Sequence, residues 1–327
     1  MNFLNVNDIY KQEGQQPVLQ GISFVQHQSQ KIAIAGESGA GKTTLLKIIA
    51  GFVQADSGEV YFEDRRVLGP HEKLMPGHKG VVYLSQHFEL LNNYRVEELL
   101  NFENTLQNDE ANNLYEVCRI SHLIQRRTDQ LSGGEKQRIA LAKLLITSPK
   151  LLLLDEPFSN LDPIHTNILK AVINDIGERL QITCILVSHD ALDTLSWADE
   201  ILVMRGGRIV QKAVPEEIYK HPADEYTAAL FGKYNLLNSS LVKDLPELQN
   251  IGAEGKNIFI RPENLKIVFD EGDGIKGEVV KTIFCGSYYE VEVLLAENTV
   301  TVRTDNNNFA HGDIVYIAFD PGNEWYI

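Results

Sequence analysis

The sequence predicts an α/β domain with a mostly parallel core sheet, followed by a small all-β domain. Three observations carry this reading. Strand-like apolar runs alternate with helical stretches through the N-terminal part of the chain. Three of those runs end in glycine, carboxylate or histidine clusters. Beyond about Gly232, short alternating strands separated by Gly and Asp take over. A chain of 327 residues fits about two domains at roughly 150 residues each. The polar stretch Asn235–Ser240 marks the junction, giving units 1–234 and 235–327.

The apolar run Lys31–Ala35 breaks at Gly36 and opens the pattern Gly36-Glu37-Ser38-Gly39-Ala40-Gly41-Lys42-Thr43-Thr44. Leu45, Leu46, Ile48 and Ile49 then recur at helical spacing, with Gly51 as a C-terminal cap. Strand, glycine-rich loop and helix in this order make a phosphate cradle. The glycines let backbone N–H groups turn inward, and the helix adds its positive end. Lys42 is placed to reach β- and γ-phosphates, and Thr43 to offer its hydroxyl to Mg²⁺.

Leu131-Ser132-Gly133-Gly134-Glu135 precedes a helix over Lys136–Ile146. Ser132 and Glu135 have capping-box spacing, and taken alone this is equally a well-capped helix. The paired glycines Gly133 and Gly134 also bare backbone N–H groups for an anion. Two phosphate-type sites on separate elements leave two options: two anions, or one nucleotide held by another copy.

Leu151–Leu154 is continuously apolar, as expected of a strand covered on both faces. Asp155 and Glu156 follow it. Ligands of doubly wound sheets gather at the carboxyl ends of strands, so Gly36, Asp155 and His189, which follows the run Ile182–Val187, share one rim. Asp155 suits Mg²⁺, and Glu156 suits a water attacking a γ-phosphate. Between these runs lies a helix over Ile164–Leu180. His189, Gln86 and Tyr10 are each compatible with a structural role when read singly. His189 gains weight from its strand end, and Tyr10 could stack on adenine.

The C-terminal strands are read at Asn257–Arg261, Ile275–Ile283, Tyr288–Leu295, Thr299–Arg303 and Asp313–Phe319, with Glu290-Val291-Glu292-Val293 alternating strictly. Glu271-Gly272-Asp273-Gly274 reads as a turn. About five short strands fit a small barrel or sandwich.

The net charge of −15 argues against broad nucleic-acid binding, which needs a basic footprint. The three cysteines, Cys118, Cys184 and Cys285, are far apart and form no C-x-x-C pair, which fits a reducing compartment. No signal peptide is visible, and no apolar run approaches the roughly 20 residues that span a bilayer.

With these motifs in order, the chain resembles the ATP-binding subunits of ABC transporters over roughly 1–232. Gly36–Thr43 is similar to the Walker A loop, Gln86 to the Q-loop glutamine, and Leu131–Glu135 to the signature. Leu151–Glu156 resembles Walker B with its catalytic glutamate. Ser159-Asn160-Leu161-Asp162 resembles the D-loop, His189 the switch histidine, and Tyr10 the adenine-stacking aromatic. The resemblance implies a P-loop ATPase fold, ATP and Mg²⁺ as cofactors, and a metal set of Thr43, Gln86 and Asp155. It also implies a head-to-tail dimer in which Ser132 and Gly134 meet the γ-phosphate held by the other copy. Ile260–Leu265, with Arg261-Pro262-Glu263, is similar to a segment of the OB-like domain of importer ATPases serving sugars, polyamines, sulfate and ferric iron. An importer ATPase would sit peripherally on the cytoplasmic face of the cell membrane, with an integral membrane permease as partner and a solute-binding protein upstream. Arg95–Gln130 is shorter than the usual helical insert, and Pro70–Gly80 matches no family landmark. The competing expectations are a non-transport ABC-type ATPase acting on nucleic acid or ribosomes, and a regulatory module whose β domain binds a ligand.

Overall fold

The computed structural model describes residues 3–86, 90–159, 161–237, 257–269, 274–296, 298–319 and 325–327. Asn160, Asn238–Ser240 and Glu271–Asp273 lie outside the described residues. The chain divides into two compact units, Met1–Pro215 and Glu216–Ile327.

In chain order the first unit begins with β1 (Leu4–Glu13), β2 (Gln16–Gln26), β3 (Lys31–Ala35), α1 (Lys42–Ile49), β4 (Ser57–Phe62), β5 (Arg65–Arg66) and β6 (Val81–Leu84). The helices α2 (Val96–Asn101), α3 (Asn108–Val117) and α4 (Gly133–Leu145) follow. It ends with β7 (Leu151–Asp155), α5 (Pro163–Arg179), β8 (Thr183–Val187), α6 (Ala191–Leu195), β9 (Glu200–Arg205) and β10 (Arg208–Ala213).

The core sheet has the order β10-β9-β3-β8-β7-β6. Its pairs from β9 to β6 are parallel, and only β10 joins antiparallel at one edge. Every residue of β7 and β8 is buried, which explains their unbroken apolar runs: both faces are covered. Leu151 and Leu153 face one apolar cluster, with Leu45, Leu46 and Ile49 of α1. Leu152 and Leu154 face the other, with α2 to α5.

A second sheet, antiparallel in the order β2-β1-β4-β5, covers the α1 side. The sequence pattern predicts no strands here. Leu4, Val6 and Ile9 are buried, but Asp8 has φ 50° and the β1–β4 pairing shifts between Asn7 and Tyr10. That bulge breaks the two-residue period by which a half-buried strand is recognised.

The second unit holds α7 (Pro215–Lys220, apart from its first residue), α8 (Glu225–Leu230), β11 (Asn235–Leu237), β12 (Ile258–Ile260), β13 (Leu265–Val268), β14 (Ile275–Phe284), β15 (Tyr289–Leu295), β16 (Asn298–Thr304), β17 (Ile314–Phe319) and β18 (Trp325–Tyr326). Its sheets, β11-β12-β18 and β13-β17-β14-β15-β16, are antiparallel throughout. Val279, Val291, Val293, Val300, Val302 and Ile317 form its core.

One expectation changes. Glu290 does not alternate outward: it is buried, and Lys233 Nζ meets its Oε2 at 2.5 Å, so the ion pair takes the carboxylate inward. Within the second unit, Arg261 ties α7 and α8 to the end of β12. Its Nε and Nη2 donate to the Tyr219 carbonyl at 3.1 and 3.0 Å. Its Nη1 donates to the carbonyls of Ala228, Gly232 and Lys233 at 3.1, 3.1 and 2.9 Å. The guanidinium also lies over the rings of Tyr219 and Phe259, at 4.1 and 4.8 Å.

Candidate nucleotide site

The turn after β3 is built by conformation that glycine tolerates. Gly41, preceding α1, has φ 94°, and a Cβ there would lie 2.6 Å from the Val18 carbonyl oxygen. Gly36 and Ala40 are buried, while Glu37, Ser38 and Gly39 are exposed along the loop crest. Lys42 is only 6% exposed, and its ammonium donates to the carbonyls of Gly36 at 2.7 Å and Glu37 at 2.8 Å. Burial lowers its pKa, with Glu156, Asp155 and Glu37 acting in the opposite direction. A cation held under a loop of backbone N–H groups at a helix start is a seat for phosphate. Thr44 lies half-buried in the first turn of α1.

Asp155 ends β7, buried at 3% exposure. Thr43 Oγ1 donates to its Oδ1 at 3.1 Å, and the Tyr83 hydroxyl donates to its Oδ2 at 2.7 Å. Burial, reinforced by the Asp155 bond and charge, pushes the Tyr83 hydroxyl pKa up. Tyr83 was not singled out in the sequence; its only signal is one phenol inside the VVYL strand. Among the described residues no three His, Cys, Asp or Glu side chains converge on a metal position. Thr43 and Asp155 instead offer a partial set of hard oxygens, which suits a Mg²⁺ completed by phosphate oxygens and water.

Glu156 follows with φ 48°, unusual for a residue other than glycine. Its N–H donates to the Val187 carbonyl at 3.0 Å and clips this turn to the end of β8. Three side chains from three segments then meet one oxygen, Glu156 Oε2: Gln86 Nε2 at 3.3 Å, Ser159 Oγ at 3.1 Å and His189 Nδ1 at 3.3 Å. Gln86 thus faces Glu156, not Asp155. A cleft of about 490 Å³ opens here, lined by Gln86, Glu156, Ser159 and His189 among others. A carboxylate held beside an imidazole in an open cleft can orient or deprotonate water.

The second anion site forms separately. Ser132 and Glu135 complete the capping box of α4, with Ser132 Oγ accepting from Glu135 N at 3.3 Å and Glu135 Oε2 accepting from Ser132 N at 2.8 Å. Gly133 is exposed with open space at its Cα. Gly134 is buried, and a Cβ there would meet the His165 ring at 2.4 Å. His165 in turn meets Asp162, whose Oδ1 caps α5 by accepting from Ile164 N and His165 N at 2.9 and 3.0 Å. Tyr10 is 42% exposed on β1, opposite Gln20 and next in register to Leu19, which packs under Gly41.

Comparison with known proteins gives the family. The ABC transporter family model matches residues 19–159, and the TOBE domain model residues 258–326. The Fe(3+) ions import ATP-binding protein FbpC of Pseudomonas fluorescens is 37% identical over 84% of this chain and 81% of its own length. The chain belongs to the ATP-binding subunits of ABC importers. The spermidine/putrescine import ATP-binding protein PotA of Clostridium acetobutylicum is 29% identical over 97% of this chain and 94% of its own. The sulfate/thiosulfate import ATP-binding protein CysA of Synechocystis is 31% identical over 91% and 86%. Among solved structures, cbiO1 of Clostridium perfringens, part of the cbiONQ transporter complex, superposes with TM-score 0.58 at 25% identity, covering 66% of this chain and 90% of its own. A nucleotide-free cassette of an ABC transporter gives 0.58 at 26% identity, covering 71% of this chain and 100% of its own. The importer-type ATPase fold with an OB-like C-terminal part, and ATP hydrolysis as the activity, follow from this membership.

Proposed function

We propose that two copies of this importer ATPase close head to tail around ATP and Mg²⁺, and that hydrolysis reopens them. The observation carrying this is the convergence of Gln86, Ser159 and His189 on Glu156 Oε2, next to the Thr43–Asp155 pair. The loop Gly36–Gly41 with Lys42, Thr43 and Thr44 holds the phosphates. Thr43, Asp155 and Gln86 hold Mg²⁺, either directly or through water. Glu156 prepares the attacking water, and His189 contacts the γ-phosphate. Ser132, Gly133 and Gly134 complete the site of the other copy, with Asp162 at the junction, and Tyr10 stacks on adenine. The exposure of Ser132 and Gly133 supports a contact made across such a dimer.

Among the described residues no helix is long and apolar enough to cross a membrane. We infer from the importer relatives that the dimer acts peripherally, on the cytoplasmic face of an integral permease fed by a solute-binding protein. Relatives named for ferric iron, polyamine and sulfate import match at comparable identity, and the solute belongs to that range.

Glu156→Gln tests this reading, because it keeps the shape while removing the base. With Mg²⁺ and ATP this variant forms a stable dimer by light scattering and releases phosphate at least about a hundredfold more slowly than the parent. From detergent-solubilised membranes it then retains an integral permease, whose identity narrows the solute. Persistent monomer at full ATP occupancy, or ordinary turnover, overturns the proposal.

A further inference from the structure

Behind His189 lies a polar chain that the reaction as described does not use. Ser188 and Asp193 are 4% and 5% exposed. Ser188 Oγ donates to Asp193 Oδ2 at 3.0 Å and accepts from Asp190 N at 3.1 Å. The hydroxyl thus fixes the residues on both sides of His189. Lys170 Nζ reaches Asp193 Oδ1 at 2.5 Å, a charge contact outside hydrogen-bond geometry. Lys170 projects from α5, and its ammonium also lies 5.5 Å above the Phe158 ring.

This chain stands between two hollows. Lys170 and Asp193 line the 490 Å³ cleft that holds Glu156 and His189. They also line a second cavity of about 210 Å³, walled by Phe158, Leu186 and Trp197. With a hollow on either side, the Lys170–Asp193 pair is fixed by polar contacts more than by close packing, and through Ser188 it holds the His189 turn. A buried carboxylate also needs its cation: without Lys170, Asp193 would hold an uncompensated charge.

We infer that Lys170, Asp193 and Ser188 form a positioning chain that sets His189 against Glu156. The inference rests on the proposed role of His189. Lys170, Asp193 and Ser188 bond to one another and to Asp190, and by this inference the chain governs the chemical step and not ATP affinity.

The test is steady-state ATPase kinetics on the full chain, with thermal unfolding recorded for each variant. Asp193→Asn removes the charge at constant shape. Ser188→Ala breaks the link while leaving the Lys170–Asp193 pair intact, and it serves if the first variant does not fold. Each lowers kcat about tenfold with the KM for ATP within about twofold of the parent, as expected of a group displaced by a fraction of an ångström. Lys170→Arg, which keeps the charge, retains most activity. Combining Asp193→Asn with His189→Ala costs nothing beyond His189→Ala alone, because the two act as a unit. Unchanged kcat in folded variants overturns the positioning chain, as does a deficit confined to KM or one that adds in full to His189→Ala. Full turnover by His189→Ala itself instead overturns the reading of the site on which the inference rests.

Discussion

At the residue scale, the site is organised around two adjacent carboxylates whose surroundings differ. Asp155 is buried and faces hydroxyls, from Thr43 and Tyr83; Glu156 borders the open cleft and faces an amide, a hydroxyl and an imidazole. The first environment suits a metal ligand held still, the second a base with access to water. Glu156→Gln therefore lowers turnover by about two to four orders of magnitude, the range for a lost general base, while ATP affinity holds. Lys42→Ala removes the buried cation of the cradle and abolishes ATP binding, checked by titration with a fluorescent nucleotide. Tyr83→Phe deletes one hydrogen bond to Asp155, a change of about 1 kcal/mol. Its expected signature is weaker Mn²⁺ binding in the presence of ATP, followed by electron paramagnetic resonance. Lys42, Thr43, Asp155 and Glu156 could be read from the sequence because their motifs are contiguous with strands and helices. Tyr83 could not, since it meets Asp155 from a different strand, 72 residues away. Ser159 appeared only as part of a loop motif, without its bond to Glu156.

At the scale of elements, position follows from a few backbone demands. Gly41 combines a φ of 94° with a carbonyl where a Cβ would sit. Gly41→Ala should destabilise the first unit by about 1–3 kcal/mol and misplace the start of α1, measured by denaturant unfolding and nucleotide titration. Arg261 is the counterpart in the second unit: its donors satisfy carbonyls late in α7 and α8 and just beyond α8. Arg261→Met leaves those carbonyls unpaired and costs about 3 kcal/mol in the transition of the second unit alone. β3, β7 and β8 were legible because burial on both faces writes a continuous apolar run. The β1–β2–β4 layer was not, because its bulges at Asp8 and Tyr10 interrupt the alternation. The capture of α7 and α8 by Arg261 was hidden for another reason: it is a bond between segments far apart in sequence.

At the scale of the whole molecule, the two units carry separate cores and separate reporters. Cys118 and Cys184 are buried in the first unit, and burial pushes both thiols up to about 12; Cys285 of the second unit is exposed. Because the thiolate is the reactive form, labelling near pH 8 should modify one thiol per native chain and three after denaturation. Faster labelling of Cys118 or Cys184 would signal opening of the first unit. The left-handed backbone at Glu156 has a consequence for any breeding of this protein in the laboratory. A residue other than glycine at φ 48° carries strain of about 1 kcal/mol or more. A screen rewarding only folded yield should therefore drift toward glycine at 156, enriching sturdier proteins that no longer turn over ATP. Durability and turnover are set against each other at a single peptide unit, and selecting for both requires keeping an ATPase readout in every round.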